Sequence, residues 1–277
     1  MDLLQEAKKT AQEADAVILV VGTNSDWETE GNDRADLGLP ANQDELVDAV
    51  LAENKNTVVV INSGSPVSMP WEGQSKAILQ SWFGGQEYGN ALMDILFGEV
   101  NPSGKLPTTF PKRIEDTPAF SCYPGENSQM DYEEKLLVGH RWYERKNIKS
   151  LFPFGHGLSY TDFSYGDLEI SVSGNADVVC RFNIENIGDM DGQEVVQCYV
   201  SYESSPSDEP IKSLQSFKKV LIEKQKKQEI EIHLNARNFS YWDVKDKDWK
   251  IRPGSYSIEI GSSSEKIELS ETITLGN

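Results

Sequence analysis

The chain has 277 residues, with 45 Asp plus Glu against 26 Lys plus Arg and a formal net charge of -19; it repels phosphate backbones, whose binding needs clustered cations, so nucleic acid and anionic membranes are excluded as partners. Its longest apolar runs, "AVILVV" from Ala16 and "TVVVIN" from Thr57, fall far short of the roughly 20 residues of a membrane-spanning helix. The length suits one large domain or two ordinary ones, and two is the expectation.

The start, "MDLLQEAKKTAQEAD", is polar and charged and lacks the basic n-region and apolar stretch of a secretory signal. This implies a cytoplasmic protein if Met1 is the natural start, and leaves secretion open for a longer precursor. "LLQEAKKTAQEA" has the spacing of a short amphipathic helix, and "DAVILVVG" is a continuous β-branched strand ending at Gly22. After it comes "SDWETEGNDR", Ser25 to Arg34, with four carboxylates and one arginine. In "LPANQDELVDAVLAEN", Pro40 and Asn42 precede a helix with Leu46, Val47, Val50 and Leu51 on one face. "NTVVVINSG" and "KAILQSWFGG" read as two further strands, and "QEYGNALMDILFG" as a helix ending at Gly98. Hydrophobic strands separated by helices imply a parallel sheet covered on both faces. Ligands of such sheets sit at the carboxyl ends of the strands, which is where the acidic loop leaves the first one.

From about Asn101 the texture becomes Pro- and Gly-rich, "NPSGKLPTTFPKR", then aperiodic as far as "LFPFGHGLSYT". This part reads as an extended connector whose aromatics, Phe110, Phe120, Tyr123, Trp142, Tyr143, Phe152, Phe154 and Tyr160, require burial. After Thr161 helical signals vanish. "FSYGDLEISVSG", "DVVCRFNIENIG", "QEVVQCYVSYES", "IKSLQSFKKVLIE", "KQEIEIHLNA", "SYSIEIGSSS" and "KIELSETITL" are short strands of an immunoglobulin- or fibronectin type III-like β-sandwich. The fold class is therefore α/β followed by all-β, with an α/β domain over 1–112, a connector over 113–160 and the sandwich over 161–277.

Charge runs are usually solvated surface, so the residues alone favour a plain loop at Ser25 to Arg34. Within it, Glu28 lacks the following glycine that Glu30 has in Gly31, and Asp33 with Arg34 reads as a structural ion pair. Trp27 and Trp82 fit either sugar stacking or packing. "GGQEYGNA" is not a dinucleotide fingerprint, so nucleotide binding is rejected. Cys122, Cys180 and Cys198 form no CxxC pair, and the residues imply neither metal nor cofactor; nothing in the spacing supports a disulfide between Cys180 and Cys198. His140 and His156 read as packed residues, because no Ser or Cys nucleophile motif accompanies them. "NFS" at Asn238 is a glycosylation triplet that matters only in a secreted protein.

In order along the chain, "ADAVILVVG", "ETEGNDR", "LPANQDELV", "VVVINSGSPVSMPW", "SWFGGQEYGNALMDILFGEVNPSGKLPTTFP", "VGHRWYE" and "FPFGHGLSYTDF" resemble the C-terminal half of family 3 glycoside hydrolases, the β-glucosidases and β-xylosidases. The resemblance covers about 14 to 277. It implies a retaining hydrolase in which a (β/α) barrel carries an aspartate nucleophile, an α/β sandwich carries the acid/base glutamate, and a fibronectin type III-like domain follows. In the branch most resembled, the acid/base is the Glu of an E-G-Y-D-R signature. That maps onto Glu30, with Asp33 and Arg34 matching and Asn32 standing where Tyr is common. "SDW" is similar to the nucleophile triplet but lies in the wrong domain, so Asp26 takes no role and no nucleophile is expected in this chain.

Retaining hydrolysis needs two carboxyl groups about 5–5.5 Å apart. The resemblance therefore implies a missing N-terminal barrel, in cis or in trans, a β-glucoside or oligosaccharide substrate, and negligible activity for the chain alone. The beginning, only a helix before the first strand, suggests an α/β sandwich domain lacking its leading strands, as in relatives with a PA14-like insert upstream of such a start. Two other readings stay open: a non-catalytic carbohydrate-binding or structural module, and a β-xylosidase-like enzyme.

Overall fold

The computed structural model describes residues 2–31, 33–127 and 129–276. It divides into two units, one formed by 1–97 with 110–117 and the other by 98–109 with 118–277.

In the first unit, α1 (Leu3–Glu13), β1 (Val17–Gly22), α2 (Gln43–Glu53), β2 (Thr57–Asn62), β3 (Ala77–Gln80) and α3 (Tyr88–Leu96) alternate along the chain. The strands form one parallel sheet in the order β1-β2-β3, with Val17 opposite Thr57 and Val58 opposite Ala77. The Asp2 carboxylate caps α1 by accepting from the Leu4 N–H at 3.2 Å. Helix α2 buries Val47, Val50 and Leu51, three of the four apolar positions expected to share a face. At its start, Asp44 takes the Trp71 indole N–H at 2.8 Å and the Leu39 N–H at 3.1 Å, fixing the helix to the fully buried Trp71.

The expected cover on both sheet faces is only partly present among the described residues. Central β2 is buried almost throughout, but Ile18 and Val20 of β1 are 47% and 52% exposed. Helix α3 buries no residue, and α1 packs against α2. A continuous apolar run records that a strand can be covered on both sides, whereas the cover itself must come from other elements.

The second unit continues with α4 (His140–Lys146), β4 (Phe163–Ser173), β5 (Asp177–Asn186), β6 (Gly192–Tyr202), β7 (Lys212–Ile222), β8 (Lys227–Leu234), β9 (Ser240–Asp243), β10 (Asp248–Ile251), β11 (Gly254–Gly261) and β12 (Ile267–Leu275). Sheets ordered β4-β5-β8 and β12-β11-β6-β7 are antiparallel throughout. One apolar core contains inward residues at spacing two, among them Val178, Cys180, Phe182 and Ile184 of β5 and Val196, Cys198 and Val200 of β6. Cys180 and Cys198 are buried free thiols.

Strand β6 breaks the alternation because its outward residues are also covered: Gln197 donates to the carbonyls of Gly155 at 3.1 Å and Ser262 at 2.7 Å, and accepts from the Tyr199 hydroxyl at 2.6 Å. "GKLP" and "FPFGHG" run side by side, joined by Leu106 N–H to His156 O and Gly155 N–H to Leu106 O, each 2.8 Å. Lys105 then reaches Gly157 O at 2.9 Å and the buried Glu194 of β6 at 3.1 Å, and Tyr165 donates to the same carboxylate at 3.2 Å. These two motifs are bound to each other and to the sandwich.

Three sequence expectations need correction here. The aperiodic segment contains α4, which at seven residues is too short for a 3.6-residue period to repeat. The hairpin β9–β10, with Trp242 opposite Trp249, forms a separate two-stranded ribbon that the strand reading passed over. Burial of the connector aromatics holds fully only for Phe110 and Tyr143; Phe120, Tyr123 and Tyr160 are exposed and the others half-buried. Their rings supply edges and partial faces to loops, for which full burial is not needed. His140 and His156 are packed as expected, stacked on Phe154 at 4.8 Å and Phe152 at 5.3 Å.

Candidate active site

Beyond the carboxyl ends of β1, β2 and β3 lie three loops, tied together by side chains. Gln43 brackets the end of β1, accepting from Gly22 N–H at 2.7 Å and donating to Gly22 O at 2.8 Å. The chain then turns on Asn24, whose Oδ1 accepts from Asp26 N–H at 3.0 Å and Trp27 N–H at 3.1 Å, an Asx arrangement that opens the acidic loop. Glu28 folds back: its Oε1 accepts from the Thr23 hydroxyl and from the Gly64 N–H at 2.8 Å, the latter in the β2 loop. A Cβ at Gly64 would meet the Glu28 carboxylate at 2.5 Å and the Phe83 ring at 2.8 Å, so a larger residue here would displace the Glu28 side chain from its place. Gln80 of β3 donates to Ser63 O and Oγ at 3.2 and 3.1 Å, completing the chain of ties.

Two residues after Glu28 the loop has a different character. Glu30 is exposed and makes no hydrogen bond among the described residues, and Gly31 takes φ 87°, a left-handed conformation that glycine adopts without strain. Asn32 lies outside the described residues. Asp33 is exposed and forms no ion pair with Arg34 among the described residues, which corrects the expected pairing. Arg34 turns instead to the β2 loop, donating from Nη1 to Ser65 Oγ at 2.8 Å and Pro66 O at 3.3 Å. Burial pushes its guanidinium pKa down, opposed by the charges of Glu28 and Asp36. The reason is geometric: a five-donor fork finds fixed acceptors across the loop, while its sequence neighbour points to solvent.

Trp27 lies beside Arg34, with the guanidinium carbon 5.9 Å from its ring centroid. The indole N–H of Trp27 and the Nε and Nη2 of Arg34 are closed from solvent without a hydrogen-bond acceptor among the described residues. Trp82 follows β3 at φ 55°, a left-handed conformation that costs a bulky residue about 1–3 kcal/mol, and its ring meets Phe110 edge-on at 6.1 Å. Strain of this kind persists where the surroundings over-determine it.

The structure thus places Trp27, Glu30 and Arg34 in one loop at the strand ends, and Trp82 at the end of the third strand. It assigns Glu28, Gln43, Gly64 and Ser65 as the framework of that loop. Sequence reading missed Gln43, Gly64 and Ser65, although the position of "NSGSP" at the end of β2 could have pointed to the last two. Chemically the loop offers the exposed carboxylates of Asp26, Glu30 and Asp33, which take no hydrogen bond among the described residues, beside the half-buried Trp27. No cluster of three or more His, Cys, Asp or Glu capable of holding a metal occurs among the described residues.

If Glu28 is the anchor of this loop, Glu28→Ala is expected to lower the stability of the first unit by about 1–3 kcal/mol, because it strips the Thr23 hydroxyl and Gly64 N–H of their acceptor. Urea unfolding followed at that unit measures it, and an unchanged midpoint would remove Glu28 from the framework.

Residues 2–160 match the model of the glycosyl hydrolase family 3 C-terminal domain, and residues 194–264 that of a fibronectin type III-like domain. The thermostable β-glucosidase B of Acetivibrio thermocellus is 41% identical over 279 residues, covering 100% of this chain and 37% of that protein. A probable β-glucosidase I of Emericella nidulans is 39% identical, covering 98% of this chain and 33% of that protein. The crystal structure of a family 3 β-glucosidase from Bifidobacterium adolescentis superposes with a TM-score of 0.95 at 41% identity, over 99% of this chain and 41% of that one. A β-glucosidase from Kluyveromyces marxianus, solved in complex with glucose, gives 0.95 at 38%, over 99% and 33%. The chain spans about a third of the length of these curated relatives. With its α/β domain, its sandwich and its loop at the strand ends all matched, this chain belongs to glycoside hydrolase family 3.

Proposed function

We propose that this chain is the part of a retaining β-glucosidase that supplies the acid/base carboxylate, with Glu30 in that role. The observation that carries the reading is the division of labour between the two glutamates of the acidic loop: Glu28 is committed to Thr23 and Gly64, while Glu30, which precedes Gly31 at φ 87° in the sequence that resembles the family signature, is exposed and makes no hydrogen bond among the described residues. In the first step Glu30 protonates the glycosidic oxygen as a carboxylate from outside this chain attacks the anomeric carbon; in the second it takes a proton from the water that releases the sugar. Trp27 and Trp82 shape the pocket through their ring faces, and Arg34 and Asp33 border it.

The attacking carboxylate belongs to a barrel domain, in cis or in trans. Alone, the chain is expected to show no measurable turnover of an aryl β-glucoside, because an acid without a nucleophile supplies neither the covalent intermediate nor the second carboxylate. Adding the barrel portion of a family 3 β-glucosidase is expected to restore hydrolysis, with the glucoside preferred over the corresponding xyloside. Ordinary turnover by the chain alone, or none after the barrel is added, would overturn the proposal.

A further inference from the structure

Helix α4 carries a pair of ionisable groups that the proposed chemistry does not use. His140 and Glu144 stand one turn apart on the same side of the helix. Both carboxylate oxygens of Glu144 and Nε2 of His140 are closed from solvent and meet no hydrogen-bond partner among the described residues. The groups around them are fully spoken for or of the wrong sign. Tyr199 of β6 stands edge-on to the imidazole at 6.0 Å with its hydroxyl given to Gln197. Lys212 of β7 is paired to Glu259 of β11 at 3.1 Å, and Glu265, between β11 and β12, accepts from Ser150 at 2.9 Å. Arg141 on α4 is the remaining charge that acts on both.

A charged Glu144 in this place faces Glu259 and Glu265 without a donor of its own, and a charged His140 faces Arg141 and Lys212 without an acceptor. Each is least costly when neutral. We propose that α4 is a strap docked on the sandwich through a neutral pair, Glu144 as the acid and His140 as the free imidazole, so that docking takes up no net proton although it discharges both groups.

Burial, helped by Glu259 and Glu265 and opposed by Lys212 and Arg141, pushes Glu144 up to about 7; burial, then Arg141 and Lys212, pushes His140 down to about 4. Glu144 therefore favours docking fully below its ordinary value of 4.5, and that support is lost as pH rises toward 7. His140 favours docking fully above its ordinary 6.5, and that support is lost as pH falls toward 4. Between 4.5 and 6.5 the two slopes are opposite and cancel. Released, the pair is carboxylate and imidazolium; docked, it is acid and imidazole; the proton count is the same.

Hydrogen exchange of the backbone amides of 140–146 in the 277-residue chain tests this from pH 4 to 7, after correction for intrinsic rates. The wild type is expected to hold its protection within about threefold across the range, because the opposite slopes overlap over most of it. Glu144→Gln is expected to gain protection as pH rises, by up to about tenfold per unit below 6.5, and His140→Phe, which keeps the ring on Phe154, to lose it at a similar rate above 4.5. Flat profiles in both folded variants would overturn the proposal. Should a variant fail to fold, NMR titration of the wild-type His140 ring decides: no protonation between pH 5 and 8 supports it, and titration near 6.5 refutes it.

Discussion

Glu30→Gln, in the chain complemented by the barrel portion of a family 3 β-glucosidase, is expected to lower the kcat for an aryl β-glucoside by about 10²–10⁴-fold, the usual contribution of a positioned general acid or base. Glutamine keeps the shape and hydrogen-bonding reach of the side chain but can neither give a proton to the glycosidic oxygen nor take one from water. The loss should depend on the leaving group. A phenol of low pKa departs with little help, so formation of the glycosyl intermediate suffers less and the water step becomes limiting; an alkyl or sugar leaving group needs the proton and suffers in full. The same measurement on Glu28→Gln separates the two acidic neighbours: a framework residue whose Oε1 serves Thr23 and Gly64 changes stability more than it changes the dependence on leaving group. Equal rates for wild type and Glu30→Gln after complementation would end the acid/base assignment.

Lys105→Met should cost the second unit about 3–5 kcal/mol, the range seen when one member of a buried ion pair is removed and the other is left behind. Glu194 is only 4% exposed, and with Lys105 gone it retains, among the described residues, the Tyr165 hydroxyl at 3.2 Å. Burial already raises the pKa of Glu194, and Lys105 is the largest influence holding it down. A raised carboxylate supports the fold fully below its ordinary value and loses that support as pH climbs through the folded one, so the penalty of Lys105→Met should grow with pH. Glu194→Gln in the same background should recover most of the loss, because a neutral amide in that place needs no counter-charge. Urea midpoints at pH 5 and pH 8 for the two single variants and the double variant measure both effects. A penalty below about 1 kcal/mol, independent of pH, would mean that water reaches Glu194.

Much of the fold was legible because burial writes itself into period. β2 reads as an unbroken β-branched run and is buried almost throughout, and β5 and β8 read as alternation, since each of these strands presents a fixed set of side chains to a core. What escaped was either too short to show a period, as α4 and the ribbon of β9 and β10 were, or covered for a non-local reason. β6 is buried on both faces because the segment from 139 to 157 lies over Gln197 and Tyr199, a fact carried by no residue of β6 itself.

The same boundary runs through the acidic loop. Sequence alone determined the alternation of strands and helices, the position of a charged loop at the end of the first parallel strand, and the ordered motifs that mark family 3; these depend on local propensity and on residues close together in the chain. Tertiary structure alone decided that Glu28 is held by Thr23 and Gly64 while Glu30 is left outward, and that Arg34 binds Ser65 and Pro66 instead of Asp33. Four carboxylates within eight positions are chemically alike until the Gly64 N–H, 36 residues from Glu28 and brought beside it by the pairing of β1 with β2, selects one and leaves another exposed.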